Sequence, residues 1–175
     1  MTGGTVARIS AVVFVAAMLQ AVIVSSLFIA GGAPDLLLVV AISLGLLRGS
    51  IAGAVSGFAG GLVVDLLTLD TLGVTSLVLT LAGFWAGRYV ETTGRGRRLA
   101  PLVAVGVITV LAGIFGFVLH YMLGVHVVAE HALLTALAPA LLLNLVLAMP
   151  VYTLIHASVH DPERLDRSQE IEVLV

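Results

Sequence analysis

Residues 45–65 read GLLRGSIAGAVSGFAGGLVVD, and in this run glycine returns at every fourth position, Gly45, Gly49, Gly53, Gly57 and Gly61, before the same step lands on Asp65. On a helix, positions four apart lie nearly above one another, so the glycines make a shallow groove that winds slowly around the cylinder. A neighbouring backbone fits closely against such a groove. In lipid, where apolar side chains gain little by leaving the solvent, close approach is a main source of helix association. The stretch therefore points to a bundle of membrane helices packed around a glycine-faced one. The neighbour is either another helix of this chain or a partner's, and substituting Gly53 or Gly57 with leucine tests the groove.

Composition agrees with that class. Of 175 residues, 60% are hydrophobic and 10% charged, with a mean hydropathy of +1.19, far from the balance of a soluble domain. All eight basic residues are arginine, and there is no cysteine, hence no disulfide framework and no thiolate chemistry. A net charge of −2 without a long polar region argues against nucleic acid as a partner.

Working outward, six apolar spans are expected, near 6–30, 34–47, 49–69, 74–89, 99–119 and 132–156. The first is longer than the about 7–15 apolar residues of a secretory signal and reads as a retained helix. The second is short for a bilayer that wants about 20 residues; it either borrows residues around Arg48, thins the membrane or sits partly inside protein. Pro139 and Pro150 are expected to bend or break the sixth. Residues 1–157 form the transmembrane domain, and 158–175 a short charged tail. No two halves repeat in the way an inverted-repeat transporter requires.

The arginines test this count. Arg8, Arg48, Arg88, Arg95, Arg97, Arg98, Arg164 and Arg167 all fall at the termini or in connections 2–3 and 4–5, and the other three connections carry none. The positive-inside rule then places both termini in the cytoplasm. Trp85, near Arg88 and Tyr89, reads as an interfacial anchor.

Asp65 is the sharpest single candidate, since a carboxylate in a span usually faces the bundle interior or a functional path. Three roles stand open for it: a structural cap near the break before Thr68 and Asp70, a contact in a protein interface, or a ligand or ion path. Gln20 and Asn144 read as interhelical hydrogen-bonding groups. His120, His126 and His131 beside Glu130 lack the spacing of a helical zinc motif, and His156 and His160, four apart on one helical face, are favourable near a helix C-terminus without a metal, so no metal is expected. Ser25 and Ser26 have no histidine and carboxylate at comparable depth, and residues 57–61 lack the lysine of a phosphate loop. No enzymatic activity and no cofactor are expected.

The layout resembles the rod shape-determining protein MreD family. The resemblance is carried by Pro34-Asp35-Leu36-Leu37-Leu38, by Gly45-Leu46-Leu47-Arg48-Gly49, by Gly53 through Gly57 to Gly60-Gly61-Leu62-Val63-Val64-Asp65-Leu66-Leu67, and by Leu72-Gly73. Membership would imply a non-enzymatic subunit of the bacterial elongation machinery in the inner membrane. Its direct partner would be MreC, with MreB, RodA and a class B penicillin-binding transpeptidase in the same complex and membrane lipid around it. The family fold is similar to the six-helix substrate-binding subunits of energy-coupling-factor vitamin transporters. The positions matching the family's motifs are Pro34, Asp35, Arg48, Gly53, Gly57, Gly61 and Asp65, and with Gly49 they are the candidates for interaction or packing. A rival reading takes the fold literally and makes the chain a vitamin-binding transporter subunit. One tryptophan, three tyrosines and few intramembrane polar groups are poor material for that pocket.

Overall fold

The computed structural model describes residues 3–26, 33–69, 71–93, 100–124 and 129–159. Among these the protein is all helix: α1 (Gly3–Ser26), α2 (Leu36–Arg48), α3 (Ser50–Thr68), α4 (Val74–Thr93), α5 (Ala100–Met122) and α6 (Ala129–Val159). Four of them, α1, α3, α5 and α6, contain stretches long and apolar enough to cross a membrane.

The core is built around α2. Its sequence, LLLVVAISLGLLR, is apolar on every side, the pattern of a helix with no solvent face. Residues Leu37 through Leu46 are all buried, and α2 touches each of the other five helices. Its 13 residues make it about 20 Å long, whereas the 19 of α3 reach about 28 Å. Of the three ways a short second helix was expected to fit, the structure shows the third, a helix sunk inside protein.

Residues in contact show that neighbouring helices run antiparallel. Gln20 near the end of α1 meets the start of α2, and α3 and α4 pair Ser50 with Gly87 at one end and Gly61 with Ser76 at the other. Arg8, Arg48 and Arg88 therefore share one end of the bundle, which we call the arginine end. The outward faces carry apolar rows such as Ile51, Val55, Phe58, Leu62 and Leu66 on α3, the stripe expected of a helix touching lipid.

Two expectations are corrected. The fourth helix does not stop at Tyr89 but continues to Thr93 and takes Arg88 and Glu91 out of the loop. The extra turn is held by the Arg88–Glu91 ion pair at 3.3 Å and by Thr92, whose hydroxyl donates back to the carbonyls of Arg88 and Tyr89. Of the bend or break expected at Pro139 and Pro150, the break does not occur: the sixth helix is continuous over 31 residues. Near Pro150, the Thr153 hydroxyl donates to the carbonyls of Met149 and Pro150.

Candidate functional site

The glycine groove faces the chain's own fourth helix. A Cβ on Gly53 would overlap the Gly83 carbonyl oxygen, one on Gly57 the Leu79 carbonyl oxygen, and one on Gly61 would stand 2.7 Å from the Ser76 nitrogen. Gly45 of α2 meets the same Gly83 carbonyl, and from the other side Gly87 meets the backbone of Ser50. Backbone thus lies on backbone along the whole seam. Gly60 departs from the pattern and faces α2 and α1, with Leu37 Cδ1 at 2.9 Å and Val13 Cγ1 at 3.0 Å from the position of a Cβ.

Gly49 has a different task. It is the single residue between α2 and α3, at once C-cap of one and N-cap of the other, with φ of 97°. Few residues but glycine adopt that angle, and a side chain would also stand 2.9 Å from Glu91 Oε1.

Two carboxylates lock the ends of the seam, each capping the helix opposite. Asp65 on α3 is fully buried, and its Oδ2 accepts the Gly73 N–H at 2.8 Å and the Ser76 N–H at 3.4 Å, two donors that the start of α4 leaves unpaired. Its Oδ1 is buried with no hydrogen bond from a described residue. Of the three roles open to Asp65, this is the geometry of a cap. At the arginine end the arrangement is reversed. Glu91 on α4 accepts the Ser50 N–H at 2.8 Å and the Ser50 hydroxyl at 2.9 Å, capping α3, which has no side-chain cap of its own. Those bonds, with Arg88 beside it, hold the Glu91 carboxyl below the usual range for glutamate. Sequence reasoning left Glu91 in a polar loop. The available signal was the missing cap: Gly49, the N-cap of α3, has no side chain with which to bond the free N–H groups of that helix.

A second polar group gathers at the start of α2, deep between the helices. The Asp35 carboxylate caps α2 through the Leu38 N–H at 2.9 Å, and the Asp35 N–H donates to Asn144 Oδ1 of α6 at 2.8 Å. Gln20 of α1 accepts the Leu36 N–H at 2.7 Å and donates to the Pro34 carbonyl at 3.3 Å. Asn144 also donates to the Thr109 hydroxyl of α5 at 3.3 Å. Three helices, α1, α5 and α6, are thus tied to the start of a fourth, and Gln20 and Asn144 act between helices as their amides suggest. Above this floor, away from the arginine end, opens a cleft of about 280 Å³ lined in part by Asp35, Thr109 and Asn144.

The remaining candidates stay apart. His120 Nδ1 bonds to its own helix at the Gly116 carbonyl, 2.8 Å away, and His156 stacks on Tyr152. His126 and His160 and the side chains of Glu130 and His131 lie outside the described residues, as do Arg95, Arg97, Arg98, Arg164 and Arg167. No group of three or more metal-ligating side chains occurs among the described residues. Arg48 ends α2 half-buried, and Pro34 is buried just before the Asp35 cap. Trp85 is exposed on α4, edge-on to Phe84.

A helical bundle with apolar outer faces, whose buried polar groups are largely spent on tying helix ends together, is a membrane protein built for form. Its polar side chains cap and join. The chain belongs to the rod shape-determining protein MreD family, whose profile matches residues 5–159, from α1 to the end of α6. No curated protein and no solved structure matches it.

Proposed function

We propose that this protein is a non-enzymatic scaffold subunit of the bacterial elongation complex, a multi-pass protein of the cytoplasmic membrane that binds MreC and helps position peptidoglycan synthases for lateral wall growth. The family match over residues 5–159 carries this reading. The arrangement of polar groups supports it, because Asp65, Glu91, Gln20 and Asn144 bond to backbone or to neighbouring helices. In this reading all six helices span, with α2 shielded from lipid, and the arginine end with both termini faces the cytoplasm. MreB, RodA and a class B transpeptidase join through the same assembly. Since the glycine seam is filled by α4, the partner docks on the outer apolar faces or at the loops.

The vitamin-transporter reading has one observation on its side, the cleft above Asp35. Among the described residues, no aromatic side chain lines that cleft. Mild-detergent co-purification of the tagged protein from its native membrane, with partners identified by mass spectrometry, separates the two. Recovery of MreC with the rod-type wall synthases is expected. Recovery of an energy-coupling membrane subunit with paired ATPases instead overturns the scaffold reading.

A further inference from the structure

The cleft at the start of α2 has a construction that capping alone does not require. Because α2 is about 9 Å shorter than α3, its first turn ends well inside the bundle, level with Thr109 and Asn144 in the middle of α5 and α6. Above that level, α5 and α6 continue and leave a space of about 280 Å³. The walls are apolar and formed by Leu38, Val78, Ala112, Leu137 and Ala140. From Asn144 to Leu137 they rise by seven residues of α6, about 10 Å. Among the described residues, the polar side chains lining the cleft are Asp35, Thr109 and Asn144, and all lie at its deep end.

The charge at that end is one-sided. Asp35 Oδ1 is taken by the Leu38 N–H, whereas Oδ2 has no hydrogen bond from any described residue. Among the described residues no basic side chain lines the cleft. The basic residues of the described helices, Arg8, Arg48 and Arg88, stand at the opposite end of the bundle. A carboxylate in a low-dielectric recess interacts far more strongly with a cation than the same group in water. The walls in turn select an apolar body, so the fitting ligand is a donor tip on a short apolar stem.

We propose that this cleft is a binding site for an apolar-stemmed organic ammonium group, which enters from the end opposite the arginines and pairs with Asp35. The site is independent of the scaffold reading. Its function can fail while partner recovery succeeds, and the reverse.

The test uses the full chain in uncharged maltoside micelles and saturation-transfer NMR with hexylammonium, hexanol and hexanoate as probes. Hexylammonium is expected to bind at least about tenfold more tightly than hexanol, the worth of one charge-assisted hydrogen bond, and hexanoate not at all. Asp35→Asn should bring hexylammonium down to the level of hexanol while hexanol binding persists, which shows that the cleft is still formed. Ala140→Phe, which fills the cleft from one wall without touching the cap, should abolish binding of both and decides the matter if Asp35→Asn does not fold. Equal binding of the ammonium and the alcohol, stronger binding of hexanoate, a preference for ammonium that survives in Asp35→Asn, or signals that survive in Ala140→Phe would each overturn the proposal.

Discussion

Gly57→Ala adds one methyl group to the middle of the seam. The new Cβ would overlap the Leu79 carbonyl oxygen and stand 2.6 Å from the Leu79 carbonyl carbon and 3.0 Å from the Thr80 nitrogen. All three are backbone atoms, so no side chain can swing aside. Non-bonded carbon atoms prefer about 3.5–4.0 Å, so α3 and α4 must separate by about 1 Å there, and a gap of that size forfeits roughly a quarter to a half of each facing contact. Overpacking of this kind typically costs about 1–3 kcal/mol, against about 0.5–1 kcal/mol that alanine gains over glycine within a helix. The net expectation is a loss of about 1–2 kcal/mol, roughly a 5- to 30-fold fall in the ratio of folded to unfolded protein. Gly106→Ala is the matched control. Its Cβ would meet only Leu145 Cδ2, at an ordinary 3.7 Å, so that variant should be neutral or more stable. Denaturant titration of both in the same detergent, followed by circular dichroism, measures the difference. Equal stability of the two variants would refute a backbone-to-backbone seam.

Two further predictions concern the locks at its ends. Asp65→Ala removes the acceptor of the Gly73 and Ser76 N–H groups and should cost about 1–3 kcal/mol; hydrogen exchange should quicken at residues 73–76 before it does elsewhere in α4, and uniform quickening would count against a local cap. Glu91, whose carboxyl is held below its ordinary range by Ser50, contributes stability that is fully present above the unfolded value of about 4.3 and is lost as pH falls through the lower folded value. The stability difference between wild type and Glu91→Gln should therefore shrink on acidification from pH 7 toward pH 3, and limited proteolysis of the α2–α3 joint across that range would reveal a difference that stayed constant.

The seam was legible because glycine at a spacing of four is a surface with one meaning on a helix, a place for close approach. Which helix fills it was harder to read. Gly83 and Gly87 are only two residues of α4, and nothing local in them marks a match for the longer ladder. Gln20 and Asn144 showed that amides in apolar spans need partners, but those partners are backbone groups at the start of α2, which have no signature in side-chain identity. Glu91 escaped because its bond partner Ser50 lies 41 residues away, and a glutamate near several arginines looks like surface. The prolines misled for a related reason: proline removes one backbone donor and crowds the carbonyl four residues back, but in a membrane span neighbouring groups and local backbone adjustment satisfy what is freed, so the helix runs on. The cleft had no sequence signal at all. It exists because one helix is shorter than its neighbours.

The burial of α2 on every side has a consequence for how the protein is made. The helix at the centre of the bundle leaves the ribosome before α3 to α6, yet the Asp35 N–H at its head waits for Asn144, 109 residues later in the chain. Until α6 arrives, α2 is a centre without its last wall. Assembly of the centre therefore waits for α6, and a chain that stops after α4 holds the glycine seam and both of its locks but leaves the head of α2 open.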